Sequence, residues 1–513
     1  MNPNTPILIG AAQLVDRSSN PKGRTPIQLM AEVAQNAAQD AGSDQLLADV
    51  QHLAAVGLTV DAPGVKTPLT GCYSNVPKSV ANALGIDPQH QYYCATGGNT
   101  PQQLVNHFAN EIAEGRAETV LLTGGEALHT MRQRFNHWSK LLLPKGAWRD
   151  KPGGQPTMFG EGKRSNTEHE AKYGLSLPAN CYPLFENALR AHYGRSPSGH
   201  MQAMGTMFSR MTKVAANNPY AWFATERSAD ELITVTENNR MIAYPYPKLL
   251  NAMISVNQAA AVIMTSVGRA QALGINSDRW VYLHGCAQAQ EHWNLTERVN
   301  YHSSPALGRA GREALAMADR SINEIDALDI YSCFPSAVQM ACDEFGIAHD
   351  DPRGLTITGG LPYFGGAGNN YGMHAIAEMM HTLRAAPEQF GLLNANGWFL
   401  TKHAVGVYSA TPPERDWRPT DPDIYQQKIL QATGPVFTET PQGAASIETY
   451  TVIYNSINEP QRGIIIGRLD SGQRFMAETE SSADVLNDLV RIEGVGRSGE
   501  VKHQAGKNTF YLD

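Results

Sequence analysis

The 513-residue sequence predicts an α/β protein of two similar halves, with an excursion inserted in the first half and a small β-domain at the end. Three observations predict it. Apolar strand-like runs alternate with amphipathic helical stretches through residues 6–127 and again through 280–397, which argues for sheets covered by helices. The second series repeats the order of the first, a duplication of a βαβαβαβ unit by pattern rather than by identity. From Pro435 onward the chain instead carries short alternating runs separated by turn residues.

In the first half, "PILIGAAQLV" is strand-like. "TPIQLMAEVAQNAAQDAG" is helical, with Thr25 as N-cap, Pro26 at the first position and Gly42 past the end. "LAAVGLTV" reads as a buried strand, "VPKSVANALGI" as a helix and "QYYCAT" as a strand. "TPQQLVNHFANEIAEGRAE" is a long helix whose start is specified by Thr100 as cap, Pro101 and a capping box to Gln103. "TVLLTGGEA" closes the series as a strand.

In the second half, "WVYLHGCAQA" and "ALDIYSCF" are strands, "SSPALGRAGREALAMADR" and "SAVQMACDEFGI" helices, and "GLTITGG" a strand. The glycine-rich "LPYFGGAGNNYG", the helix "MHAIAEMMHTLRAA" and the strand "FGLLNANG" follow. Between the halves, about 127–250 is rich in Met, Arg, His, Asn and Pro ("MRQRFNHWSK", "NNPYAWF") and holds one strong helix, "LFENALRAHYG". The expected division is 1–268 with the excursion at about 127–250, 269–411, a linker at 412–434 marked by "TPPERDWRPTDP", and 435–513.

At roughly 150 residues per domain the length allows about three or four folding units. Hydrophobic residues at 42% and charged residues at 18% exclude disorder as the main state. The net charge is −8, and from Pro435 onward seven basic residues face eleven acidic ones. Nucleic-acid and anionic-membrane binding normally need the opposite balance, so neither is expected. The first residues do not read as a secretory signal, and no stretch reaches eighteen apolar residues, so no membrane span is expected. The six cysteines (Cys72, Cys94, Cys181, Cys286, Cys333, Cys342) form no CxxC pair. A metal site or disulfide framework is not expected, and reduced thiols fit a cytoplasmic enzyme.

Four constellations carry chemistry. Cys94 ends a strand in "QYYCATGGNTPQ", before a helix N-terminus whose partial charge lowers a thiol pKa if the loop folds back; a buried core cysteine is the plainer alternative. Cys333 ends the corresponding strand of the second half, with the same alternative. "ITGGLPYFGGAGNNYGMHAIAEM" is glycine-rich but lacks GxxxxGK[ST] and the Rossmann context, so both phosphate readings are rejected. His374 in it is a candidate base or a core histidine. In "NANGWFLTKHAVGVYS", Asn394, Asn396, Lys402 and His403 cluster at a strand–turn–strand; a polar hairpin tip is the plainer reading and His403 a reserve for acid–base work.

These residues resemble the thiolase superfamily, with a duplicated five-layer αβαβα core and a loop domain inserted in the first half. "CATGGNTPQQLVNHFANEIAEGRAETVLLTGGEA" is similar to the nucleophile loop and helix of sterol-carrier-protein-type thiolases, which carries the nucleophile onto Cys94. "YSCFPSAVQMACDEFGI" resembles their "HDCF" loop, which carries an acid–base cysteine onto Cys333, with Tyr331 and Ser332 in place of His and Asp. "SVNQAAAVIM" resembles their "DGAAA" strand. "GGLPYFGGAGNNYG" lies where they have "GGxxxxGHPxGATG", so Gly366 occupies the place of the histidine that deprotonates the cysteine. A glycine cannot do that: either His374 or His403 reaches the site, or ordinary thiolase chemistry is lost. "NANGWFLTKH" also lacks the "CxG" cysteine of degradative thiolases. With its C-terminal domain, OB-like in that group, the chain is most similar to thiolase-like proteins type 1.

The resemblance implies an acetyl-CoA acetyltransferase-like acyltransferase working through a cysteine thioester, with coenzyme A or acyl-CoA as substrate and no permanently bound cofactor. Backbone N–H groups near Gly365 and Gly366, with Asn369 or Asn370, would line an oxyanion hole. Arg132 and Arg134 of "MRQRF" would meet CoA phosphates. The alternative is a non-catalytic acyl-CoA-binding protein, motivated by the missing histidine. The sequence leaves a homodimer and a monomer both open.

Overall fold

A computed structural model describes residues 2–20, 23–63, 73–136 and 150–513. Cys72 and the end of "MRQRFNHWSK" lie outside the described residues. Ten strands form one mixed sheet: β1 (Pro6–Val15), β2 (His52–Ala55), β3 (His90–Cys94), β4 (Thr119–Ala127), β5 (Thr157–Phe159), β8 (Asn257–Ser266), β9 (Val281–Gln290), β10 (Ala327–Asp329), β11 (Phe390–Gly397) and β12 (Lys402–Ser409). Their order is β10-β11-β12-β9-β1-β8-β4-β2-β3-β5. The halves meet where Ile7 and Leu8 of β1 pair with Tyr282 and Val281 of β9.

The duplication is visible in pairing direction. β1–β8 and β8–β4 are antiparallel and β4–β2 parallel. β9–β12 and β12–β11 are antiparallel and β11–β10 parallel. Nine of the ten residues of β8 are buried, so "NQAAAVIMTS" reads as an apolar run rather than an alternation. Helix Thr100–Ala113 packs on helix Tyr371–Ala385, and each also packs on β1, β8, β9, β11 and β12. Helix Pro26–Asp40 covers β1, β4 and β8 from outside, and helix Pro305–Met317 covers β9 and β12. Helix Pro26–Asp40 is capped as its sequence predicts, Thr25 and Gln28 exchanging both capping-box bonds.

Several local expectations are corrected. The cap of helix Thr100–Ala113 is Asn99, not Thr100, because the Thr100 hydroxyl donates back to the Ala95 carbonyl at 3.1 Å. "GLTITGG" forms no strand. The buried Asp329 carboxylate accepts from the backbone N–H of Ile357 and Thr358 and from the hydroxyls of Thr356 and Thr358, replacing a ladder with side-chain bonds. β10 ends at Asp329, so Cys333 lies beyond the strand, two residues before helix Pro335–Phe345. The proline-rich connection holds a helix, Pro422–Gln431, whose buried Tyr425 donates to the Gln288 carbonyl at 2.6 Å.

The C-terminal strands β13 (Gly443–Tyr454), β14 (Pro460–Leu469), β15 (Arg474–Thr479), β16 (Ser498–Gln504) and β17 (Lys507–Leu512) close into a barrel. Its circuit is β13-β14-β15-β17-β16-β13, with only β15–β17 parallel. The helix Ala483–Arg491, not expected from the sequence, fills the connection from β15 to β16. The barrel is joined to the excursion: β6 (Met241–Ala243) pairs with β7 (Tyr246–Pro247), and Ala243 pairs with Ile453 of β13. Two buried arginines fasten it. Arg190, on helix Pro178–His192, reaches Glu493 with two donors and the hydroxyls of Tyr244 and Tyr450. Arg474 of β15 is fully buried; it binds Glu448 with two donors and the carbonyls of Thr296, Arg298 and Val299. Among the described residues no helix is long and apolar enough to cross a membrane.

Candidate active site

Cys94 is the last residue of β3, paired with Phe159 of β5. It is 1% exposed, and burial pushes its thiol well above the ordinary value. The chain after it turns tightly through Thr96–Asn99 into helix Thr100–Ala113. Two glycines there are obligatory. A Cβ on Gly98 would lie 2.0 Å from the Tyr331 hydroxyl and 2.5 Å from the Asn396 carbonyl; one on Gly97 would lie 2.6 Å from both Asn99 Oδ1 and Lys402 Nζ. The Cys94 loop is therefore packed against the Cys333 loop and the β11–β12 turn, so two of the predicted constellations converge on it.

Cys333 is buried too, with its thiol pushed up to about 12, burial outweighing the donors around it. Those donors are the backbone N–H groups of Cys333 and Phe334 and the amide of Asn396, whose Nδ2 lies 3.8 Å from Sγ, while the neighbouring Tyr182 hydroxyl donates to the Trp398 carbonyl at 2.8 Å. The same amide donates to the Tyr182 hydroxyl at 2.9 Å. Tyr182 comes from helix Pro178–His192 of the excursion; nothing in the sequence around it marks it, because its partners lie more than 150 residues away.

The histidines are not drawn to either sulfur by any hydrogen bond among the described residues. His374 Nδ1 donates to Gln13 Oε1 at 3.0 Å, its ring lies edge-on to Phe364, and burial holds its pKa down to about 3. His403 Nε2 is 3.1 Å from the Leu400 carbonyl and 3.2 Å from Ser304 Oγ, and burial beside Arg298 brings its pKa to about 3. One imidazole faces β1 and the other faces Ser304, so the structure does not bring them together. An imidazole that weak is neutral near pH 7 and a poor proton acceptor.

The donors expected to form an oxyanion hole are largely engaged inside the protein. Gly366 N–H donates to the Met253 carbonyl at 2.9 Å, Asn369 Nδ2 to Gly57 O at 2.8 Å and Asn370 Nδ2 to Gly124 O at 2.7 Å. Gly365 has φ +117°, and a Cβ there would meet Gln258 Oε1 at 2.4 Å. These bonds seat the glycine-rich loop on β4 and on the turn after β2. Arg132 is exposed and Arg134 reaches Gly23 O at 3.3 Å, both on helix Leu128–Asn136 that continues from β4.

Two further ionisable groups lie near these loops, Glu126, which the sequence does not single out, and Lys402, which it places in a polar hairpin tip. Glu126, ending β4, is buried and accepts from Thr59 N and Oγ1; burial raises its pKa to about 7. Lys402 is treated below. A cavity of about 580 Å³, lined in part by Phe223, Arg227, Lys248, Met253 and Tyr363, adjoins the site. Its lining residue Met253 accepts from Gly366 of the glycine-rich loop, and the neighbouring Ala252 N–H donates to Cys333 O. Among the described residues no group of three or more His, Cys, Asp or Glu is placed to hold a metal ion.

The duplicated halves, the convergent cysteine loops and the appended barrel define a thiolase-like protein of mixed α/β fold with a five-stranded C-terminal barrel. Residues 425–506 match the model of the thiolase-like protein type 1 additional C-terminal domain. The crystal structure of a monomeric SCP2-thiolase like protein type 1 from Mycobacterium smegmatis is similar over 100% of both chains, at 36% identity and a TM-score of 0.84. The chain belongs to the SCP2-thiolase-like protein type 1 family. An acetyl-CoA acetyltransferase of Methanothermobacter thermautotrophicus is 26% identical over 198 residues, 38% of this chain and 48% of that protein. Human sterol carrier protein 2 is 22% identical over 207 residues, 38% of this chain and 35% of that protein. The chain thus spans less than half the length of these curated relatives. An Ltp2-ChsH2(DUF35) aldolase shares the fold at 20% identity and a TM-score of 0.57, over 82% of this chain and 100% of that one.

Proposed function

We propose that the chain binds acyl-CoA thioesters in the cavity next to its Cys333 and glycine-rich loops and has lost thiolase-type acyl transfer. The observation that carries this is the arrangement of bases: Cys94 and Cys333 are buried thiols with raised pKa, Gly366 stands where the family has histidine, and His374 and His403 are hydrogen-bonded elsewhere. Lys248 supplies a cation at the cavity for phosphates, beside an Arg227 that lies 3.9 Å from Glu231, with Asp230 also on the lining; the sequence assigns that role to Arg132 and Arg134. Isothermal calorimetry with coenzyme A and acetyl-CoA, alongside thiolysis of acetoacetyl-CoA, tests the reading. Saturable binding without thiolysis supports it; thiolysis that vanishes in Cys94→Ala overturns it.

A second reading, acyl transfer through Cys94 with Cys333 as acid–base partner, draws on the Asn396 donor beside Cys333 and on the resemblance to acetyl-CoA acetyltransferase. An acetyl adduct on Cys94 by intact mass would favour it. In neither reading is a cofactor permanently bound, and a cytoplasmic setting suits the free thiols.

The architecture is read in the same way. The two packed helices between strands of both halves support a five-layer core, with domains at 1–268, 269–411 and 435–513, the loop domain at about 127–250 and the connection at 412–434. The barrel circuit first-second-third-fifth-fourth-first, with a helix between third and fourth, supports an OB-like domain.

A further inference from the structure

Lys402, the first residue of β12, is a buried amine that neither reading employs. It is 6% exposed, yet no carboxylate among the described residues pairs with it. Its Nζ donates to the Thr96 carbonyl at 3.0 Å, two residues beyond Cys94, and lies 5.9 Å and 6.0 Å from the ring centres of Trp398 and Trp293. Trp293 is partly exposed, so solvent reaches one ring against which the amine sits.

The surroundings are unusual in two independent ways. Buried oxygens on the two residues nearest the amine have no hydrogen-bond partner: Thr96 Oγ1 and Asn99 Oδ1. Such atoms are rare in a folded chain and call for an explanation. The turn that delivers Lys402 is also strained, Trp398 and Leu400 having φ of +57° and +54°, which non-glycine side chains seldom adopt. Gly97 and Gly397 leave room for the amine and for Asn99 where any Cβ would collide.

We propose that Lys402 is the reactive group of a covalent site for ketones, its Nζ condensing with the keto group of a 3-oxoacyl compound to form an imine. The nitrogen lone pair adds to the carbonyl carbon, the N–C bond forms, and the C–O π electrons move to oxygen. The oxygen leaves as water with the two protons released by nitrogen, so no oxidant or reductant is needed. The carbinolamine on this path carries a hydroxyl, a donor for which the amide oxygen of Asn99 is a suited acceptor. Thr96 Oγ1 can both accept and donate as the proton moves.

The charge environment suits the role. Burial lowers the amine pKa to about 8, while Glu161 acts weakly the other way. Glu161 is itself paired with Lys163, which lies over Trp293. Glu291, next to β12, faces Ser304 and Arg298 instead, and His403 is turned to Ser304. Near pH 7 such an amine holds about three-hundredfold more neutral form than an ordinary lysine.

The test uses the full chain with acetoacetyl-CoA and, separately, with acetoacetate, each reduced with sodium cyanoborohydride and mapped by peptide mass. The expected result is one reduced adduct, on Lys402, whose rate rises with a midpoint near pH 8 and which Lys402→Arg abolishes. Trapping by acetoacetyl-CoA alone means coenzyme A delivers the ketone; trapping by both means the amine recognises the ketone itself; either supports the proposal. Adducts spread over surface lysines, no adduct, or an acyl amide formed without reductant would overturn it. Because the mapping is done on the unaltered chain, misfolding of Lys402→Arg would not affect it. Acyl-CoA binding is read by calorimetry, so its failure is distinguishable: acetoacetate trapping would persist without it.

Discussion

Gly98, four residues after Cys94, and Tyr331, two residues before Cys333, are packed so closely that a Cβ on the glycine would lie 2.0 Å from the tyrosine hydroxyl. This contact joins the equivalent loops of the two halves. Gly98→Ala should destabilise the chain by about 2 kcal/mol in urea unfolding. Tyr331→Phe removes the nearest colliding atom, so the double variant should recover part of that loss, a coupling that a double-mutant cycle measures. Additive effects would mean that the loops yield independently.

Neighbouring glycines in the third loop should respond differently. Gly365 has φ +117° and Gln258 against it, so Gly365→Ala should cost about 2 kcal/mol. Gly366 has only contacts of 3.5 Å or more around its Cβ direction, so Gly366→Ala should stay within about 0.5 kcal/mol of the parent. Thermal and urea unfolding of both variants decide this. Equal losses would mean that the loop excludes every side chain, including the histidine of related sequences.

Glu126 should make stability depend on pH. Its folded pKa, raised to about 7 by burial, exceeds the ordinary carboxyl value near 4.3, so the folded state holds the proton more tightly. The contribution is fully present below pH 4.3 and is lost as pH rises through 7, on the order of 3 kcal/mol in all. Glu126→Gln, which mimics the protonated form, should flatten the unfolding free energy between pH 5 and 8 relative to the parent. Parallel curves for the two proteins would contradict the assignment.

Arg474→Met should cost about 3 kcal/mol, because Glu448 is left without its buried partner and three carbonyls of 296–299 lose their donor. Limited proteolysis should then cut first in the connection around 412–434, which is exposed at many positions. An unchanged cleavage pattern would show that Arg190 and Glu493 hold the barrel unaided.

Both candidate cysteines should resist iodoacetamide in the native protein at pH 8 and react fully in urea, as intact mass would report, because a buried thiol with a raised pKa offers almost no thiolate. Rapid native alkylation of Cys94 would reopen the acyl-transfer reading.

The mixed α/β fold and the run of short C-terminal strands are legible in the sequence because hydrophobic periodicity reports local burial. Thr25, Pro26 and Gly42 bracket their helix as read, since capping is local. Thr100 misled because its hydroxyl turns back to Ala95, and "GLTITGG" misled because Asp329, more than 25 residues away, takes its backbone donors. The candidate cysteines could be named from their loops, but not the atoms around them. Tyr182 reaches Cys333 from the excursion, and the partners of His374 and His403 are set by packing across the sheet. Lys402 was visible as part of a polar hairpin tip; its burial was not.

The strand pairing between Ala243 and Ile453 has a consequence for biosynthesis. The segment that carries β6 and β7 rests on a barrel whose strands lie far along the chain, the fifth ending at Leu512, so that segment lacks its partner until those strands have been made. Nascent chains stalled within the barrel should therefore expose Tyr244 and Tyr450 to chaperones, and stop codons that remove β16 and β17 should be as damaging as early ones.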